Sequence, residues 1–353
     1  MKQLNKILLY IGGGCLLAGF ILAVLAFAVG GFRLKGLQTG LPYEERTYQY
    51  DSEQVKSLNI NDRFAGIKLV ASSGNEIQIT AYENEQEYYE FSLSPTGELT
   101  IEQKVNKQWY DYIMINFGLA DRSLCIAVPD GLTGEIDASS GSGVIDITGL
   151  KLTGDMTINS KSGNIKVNSL TAQDGITINT KSGRVQFEDV SSGGDMTIAT
   201  GSGDIKVTSV NAGGTLSVDT KSGKTVVDEG AVNKDLNIRT LSGDTNVSAV
   251  QVACNISVKA SSSSLLFDNT QADGDIVLDT KSGDIRFQAL SAGNIVLISA
   301  SGTVKGSVND KRENYTIKAT SKSGRVRVPE STGGNKRLDA ATKSGDINID
   351  FLY

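Results

Sequence analysis

A Ser-Gly pair returns every 20 residues through much of the C-terminal two-thirds of this 353-residue chain, and that period limits the folds open to it. Its glycines are Gly143, Gly163, Gly183, Gly203, Gly223 and Gly243; Ser263 takes the next place, and Gly283, Gly302, Gly324 and Gly345 follow. Self-similarity at a fixed period marks a repeat architecture, in which a unit unable to bury its own apolar face stacks on its neighbours. Counting from each glycine, apolar residues recur two places on (Ile145, Ile165, Val185, Ile205) and four places on (Ile147, Val167, Phe187, Val207). They recur again thirteen places on (Met156, Ile176, Met196, Leu216) and fifteen places on (Ile158, Ile178, Ile198, Val218). Each repeat therefore holds two period-2 strands rich in β-branched residues. Leu150, Leu170, Val190 and Val210, seven places on, add an inward point read as a short third strand.

The expected fold is all-β, a parallel β-solenoid of about 20-residue repeats. About eleven coils rising about 4.8 Å each make a rod of roughly 50 Å. An antiparallel meander with Lys-Ser-Gly hairpins is the rival. It does not require every column to stay uniform at one period, and so many short strands would have to curl or split. The glycine is read as a corner, and the hydroxyl column seventeen places on (Ser160, Thr180, Thr200, Thr220) as bonding to the corner backbone.

Ahead of the repeats, Ile7 to Gly31 runs without a charge, flanked by Lys2 and Lys6 on one side and Arg33 and Lys35 on the other. This is long enough for a transmembrane helix and longer than a typical signal-peptide core, although Ala26-Phe27-Ala28 fits a cleavage site. The expected organisation is a short cytoplasmic tail (1–6), a transmembrane anchor (7–31), a stalk (32–50), irregular β coils (51–135) and regular solenoid repeats (136–353). Within the irregular coils, strands are expected at Ser57–Asn61, Gly66–Val70, Glu76–Tyr82, Tyr89–Leu93, Glu98–Gln103 and Ser123–Val128. The segment carrying Trp109, Tyr110, Tyr112 and Phe117 is read as a cap over the open end of the stack, or else as a partner-facing patch.

Histidine is absent, which removes His-based acid–base chemistry and the commonest zinc ligand. With a net charge of −6, nothing in the overall balance draws nucleic acid. Cys125 and Cys254 lie about six coils apart, too far for a disulfide, so two free thiols are expected. The recurring Lys161, Lys181, Lys221 and Lys281, and the columns Asp204, Asp244, Asp284, Asp346 and Asp155, Asp195, Asp235, Asp275, read as solvated faces and turns. No calcium-binding nonapeptide pattern or phosphate loop is present. The expectation is a non-enzyme with no cofactor and no metal.

The units Ser202-Gly203-Asp204-Ile205, Ser282-Gly283-Asp284-Ile285 and Ser344-Gly345-Asp346-Ile347 resemble the bacterial putative-adhesin family, domain of unknown function 4097. The strand end Cys125-Ile-Ala-Val128-Pro129 and the single amino-terminal span are also similar to it. The resemblance implies a single-pass cell-membrane protein with an extracytoplasmic solenoid and transfers no catalytic residues. The expected function is an adhesin-like binding or scaffolding module of the cell envelope. An envelope-stress accessory protein contacting other membrane proteins is the alternative, and a glycan-active enzyme a third reading. Expected partners are the membrane, cell-wall or host glycans and envelope proteins, not nucleic acid.

Overall fold

A computed structural model describes residues 14, 17, 19–22, 41–107, 121–130 and 132–353. The chain divides into two units. One comprises Met1–Glu44, Glu83–Tyr88 and Val105–Asp121. In its described part the Asn84 side-chain oxygen accepts the N–H groups of Gln86 (2.9 Å) and Glu87 (2.8 Å), closing a tight turn. Of the expected anchor only Gly14, Leu17 and Gly19 to Leu22 are described, and they are helical. Among the described residues no helix is long and apolar enough to cross a membrane.

The second unit, Glu45–Tyr82, Tyr89–Lys104 and Arg122–Tyr353, is a parallel β-solenoid of about eleven turns. Its strands form two stacks, a 17-stranded and a 14-stranded sheet. Register is in phase with the repeat: Ile165, Val185 and Ile205 lie over one another in one sheet, and Ile158, Ile178 and Ile198 in the other. The parallel ladders rule out the meander. Glu76–Glu83 meets Leu124–Pro129 antiparallel, through Gln78–Thr80. The six strands expected ahead of the repeats all form, within two residues at either end. Glu44–Asp51 is also a strand, where a stalk was expected.

Within one turn the chain runs along three straight edges. The strand Ile165–Ala172 is bent at Ser169, so that Ile165 and Val167 point inward before the bend, and Leu170 and Ala172 after it. The bend recurs at Ser169, Asp189, Ser209, Glu229, Ala249, Asn269 and Ala289, all with φ between 44° and 55°. A left-handed conformation costs a non-glycine residue about 1–2 kcal/mol, so the stacking must over-determine it at each turn. The sequence shows no sign of this corner, because its occupants share no residue type.

At the Ser-Gly corner the reason for glycine is close approach. A Cβ on Gly223 would lie 2.1 Å from the carbonyl oxygen of Gly203, and one on Gly243 would lie 2.1 Å from that of Gly223. Their φ values, 134° and 108°, also disfavour a side chain. Hydroxyls from the adjacent turn close the corner: Thr280 donates to the Ser263 carbonyl (3.1 Å) and Ser299 to that of Gly283 (2.9 Å).

Turns at both ends are not stacked in sequence order. At the C-terminal end Ile295–Ser301 pairs with Lys336–Ser344, which then pairs with Tyr315–Ser321. Likewise Val304–Val308 pairs with Ile347–Phe351, which pairs with Val326–Arg327. The last turn is thus inserted beneath the one that precedes it in sequence. Corner hydroxyls follow the same order, Thr342 donating to the Gly302 carbonyl (3.1 Å) and Ser321 to that of Gly345 (2.8 Å). The N-terminal end repeats the device. Ser57–Asp62 lies between Glu98–Val105 and Ile136–Ser140, and Ile67–Ser72 between Leu124–Pro129 and Ile145–Thr148. The terminal turns therefore gain ladder partners on both edges, where a turn at the end of a stack has one.

Two substitutions test this packing. Thr225 and Thr245 stand in the column otherwise held by Ile, Val and Leu, fully buried, and their hydroxyls find no partner among the described residues. Thr245→Val keeps the shape and removes the unsatisfied hydroxyl, so chemical denaturation should show a gain of about 1–2 kcal/mol. Gly223→Ala should lose about 3 kcal/mol or more, because the clash is with backbone.

Candidate binding groove and charge columns

The two aspartate columns hold consecutive turns together. One place after the glycine, Asp204 Oδ1 accepts the N–H of Lys224 (3.0 Å), Asp284 that of Thr303 (2.9 Å) and Asp346 that of Arg325 (2.8 Å). Acids alternate with other residues along this column, Asn164, Arg184, Asp204, Lys224, Asp244, Ser264, so no two carboxylates are neighbours. At the start of the next strand, Asp155 accepts from Gly175 (2.6 Å), Asp195 from Thr215 (2.7 Å) and Asp235 from Asn255 (3.0 Å). These carboxylates were expected to be simply solvated; instead each satisfies an N–H of the adjacent turn. Among the described residues no group of three or more acidic or cysteine side chains is placed to hold a metal ion.

Asp62 is a buried acid, 1% exposed, as is Glu83. Burial pushes its carboxyl above the usual range, against the opposing pull of hydrogen bonds from the Tyr89 hydroxyl and the N–H groups of Gly66 and Ala65. With its oxygens so engaged it serves as a structural cap on its turn. At the other end Lys336 bonds Asp310 (2.7 Å) and lies 5.5 Å over the ring of Tyr315, whose hydroxyl donates to the Ala292 carbonyl (2.9 Å). Burial also raises the Tyr315 hydroxyl pKa. Cys125 and Cys254 are not disulfide-bonded, as expected, and Cys254 is exposed.

A groove of about 920 Å³ runs along the stack from Asn179 to Lys281. A second, of about 790 Å³, adjoins it through Asn179, Thr180 and Lys181 and reaches back to Asn61, Arg63 and Phe64. Both follow the edge where outward residues just before the Ser-Gly corner face one another across the buried threonine column. The floor of the longer part is small or hydroxylic, with Thr180, Ala199, Thr200, Gly201, Thr220 and Ala260. Exposed Lys181, Lys221, Arg239, Lys259 and Lys281 line it, and Lys161 and Arg63 line the adjoining second groove. The lysine column was visible in the sequence as solvated charge. That it forms one wall of a groove, with Arg239 and Lys259 on the other, was not. The aromatic candidates Trp109, Tyr110, Tyr112 and Phe117 lie outside the described residues.

The aspartate staples carry a pH dependence. The Arg325 N–H, then its guanidinium at 3.2 Å, hold the Asp346 carboxyl below its ordinary value of 3.8. Because the folded-state value lies below the unfolded one, this contribution is complete above about pH 4 and is lost as pH falls through the lowered value. Protection of the amides in the C-terminal turns, measured relative to their intrinsic exchange, should fall in that acid range. Asp346→Asn, which keeps an acceptor oxygen but does not titrate, should flatten that part of the profile.

Comparison with known proteins places the chain in a family. A family model described as Toastrack DUF4097 matches residues 55–264 and 213–353. No curated protein matches. Two solved structures are similar at low identity. One, a putative cell adhesion protein of Clostridium sporogenes, is 12% identical, with 88% of this chain and 99% of that chain covered and a TM-score of 0.21. The other, a putative adhesin of Bacteroides fragilis, is 13% identical, with 88% and 97% covered and a TM-score of 0.28. Neither likeness carries weight at those scores, whereas the family match spans the whole solenoid: the chain belongs to the Toastrack DUF4097 family.

Proposed function

We propose that this chain is a non-catalytic, adhesin-like binding or scaffolding module of the bacterial cell envelope, held at the membrane by residues 7–31 with its solenoid outside the cytoplasm. The observation that carries the binding role is the groove, which extends over several turns and offers a linear surface rather than an enclosed reaction site. Its floor consists of small side chains and hydroxyls that belong to the stack itself. The aspartate columns, the best candidates for paired carboxylates in glycan cleavage, are instead bound to main-chain N–H groups of the next turn. A hydrolase needs one carboxyl kept protonated and another free to act as base or nucleophile. The anchor is supported by the length of the uncharged run at 7–31.

The exposed thiol of Cys254 gives a direct test of location. A membrane-impermeant maleimide should label the protein on intact cells, and Cys254→Ser should remove most of that label. Labelling that begins only after lysis contradicts the extracytoplasmic placement.

A further inference from the structure

The distribution of charge in the groove departs from the rest of the solenoid. In several columns outside the groove charges on adjacent turns alternate or are neutralised, although Lys322 and Lys343 also sit one turn apart beyond it. Asp204, Lys224 and Asp244 alternate in sign along their column. Arg286 and Lys305 are paired across neighbouring strands, but Arg286 is bound to Asp284 at 2.8 Å. In the groove, by contrast, Arg239 and Lys259 are direct partners in the ladder, and Lys161 and Lys181 sit one turn apart. None of these four makes an ion pair among the described residues. Like charges directly opposite one another on neighbouring strands are destabilising. Asp219 and Asp279 flank the Arg239–Lys259 pair and offset it, whereas no acid stands beside Lys161 and Lys181 in their column. The contrast is sharper because the chain as a whole carries a net charge of −6.

We propose that the groove binds a linear acidic polysaccharide lying along the solenoid axis, its carboxylates meeting Lys161, Lys181, Lys221 and Lys281 on the turns that carry them. The proposal rests on the binding role above and names its ligand class. Turns recur at about 4.8 Å. An extended polymer with one carboxylate per sugar ring presents charge at an interval of the same order. Its carboxylates come level with Lys161, Lys181, Lys221 and Lys281, while Gly201, Leu241 and Ser261 face the rings between them. The acids that face the groove are Asp219, Asp279 and the buried Asp62. Asp219 and Asp279 bracket Arg239 and Lys259 along one wall, leaving the lysine wall as the cationic track that receives the anion. Threonine and serine hydroxyls and the Asn179 amide supply partners for sugar hydroxyls. The longer groove is lined by no aromatic residue, whereas sequence-tolerant binding of single-stranded nucleic acid relies on aromatic stacking. A glycan is therefore favoured over a nucleic acid of the same charge.

The test is calorimetric titration of the full-length protein in non-ionic detergent with polygalacturonate, neutral dextran and a single-stranded oligonucleotide. Polygalacturonate should bind, and raising the salt should weaken it, since the contacts are exposed and screened. The double reversal K181E/K221E should weaken binding at least tenfold. K206E/K305E, which reverses two exposed cations on a different face, should leave it within twofold of the parent. Circular dichroism of both variants confirms that the stack is intact. Absence of polygalacturonate binding, equal loss in the two variants, or oligonucleotide binding as tight as polygalacturonate would each overturn the proposal. Preferential dextran binding would overturn it too while leaving a glycan-binding module standing. Surface labelling of Cys254 is independent of all these outcomes.

Discussion

Everything in the solenoid depends on how closely one turn can lie on the next at the Ser-Gly corner. Main-chain atoms of neighbouring turns come so near there that a single methyl group would overlap a carbonyl. That contact brings the strands on either side into parallel ladders with all side chains in phase. Inward columns of Ile, Val, Leu and Phe then fill a continuous core without any one turn having to close it. Corner hydroxyls and aspartate carboxylates satisfy main-chain groups that a tight bend would otherwise leave unpaired. The left-handed residues at the second corner are accommodated by the same stacking, because each is held between turns of identical shape.

A stack of this kind has two ends, and each end is an unfinished sheet. Here the first and last turns are withdrawn from the ends and inserted one place inward, covered by the turn next to them in sequence. The outermost strands have their own cover: Glu76–Glu83 folds back antiparallel on Leu124–Pro129, and Ile317 donates its N–H to the Ser331 carbonyl. The chain between the displaced turns is long at both ends, from Ser72 to Leu124 and from Val308 to Lys336.

Much of this architecture was legible in the sequence, because period and inward columns are properties of single residues. The Gly corner, the two main strands, the third inward point at Leu150 and Leu170, and the hydroxyl column all stand where the spacing put them. The order of the end turns was not legible. Ile347 and Val326 present the same apolar pattern to Val304, and only the length of the intervening loop separates one threading from the other. The Asp columns could be located but not interpreted, since the partner is a main-chain N–H that every residue carries. The groove escaped notice for a related reason. Its two walls, with Lys221 on one and Arg239 on the other, lie on either side of a buried threonine, and only the corner geometry makes them face each other.

The surface follows from the stack. Repetition turns each outward position into a straight column, so a ligand that repeats along its own length meets the same chemistry many times, and modest contacts accumulate. The central claim is that turns are covered by turns, with the terminal ones held inside, and cysteine pairing tests it most directly. With Cys15, Cys125 and Cys254 replaced by serine, the pair K305C/N348C should oxidise to a disulfide, because these residues are partners on adjacent strands. The pair K305C/R327C should not, since the strand carrying Asn348 lies between them, putting them about 9.6 Å apart where a disulfide needs less than about 7 Å. The reverse result, a bond between positions 305 and 327 and none between 305 and 348, would show turns stacked in sequence order and contradict the account.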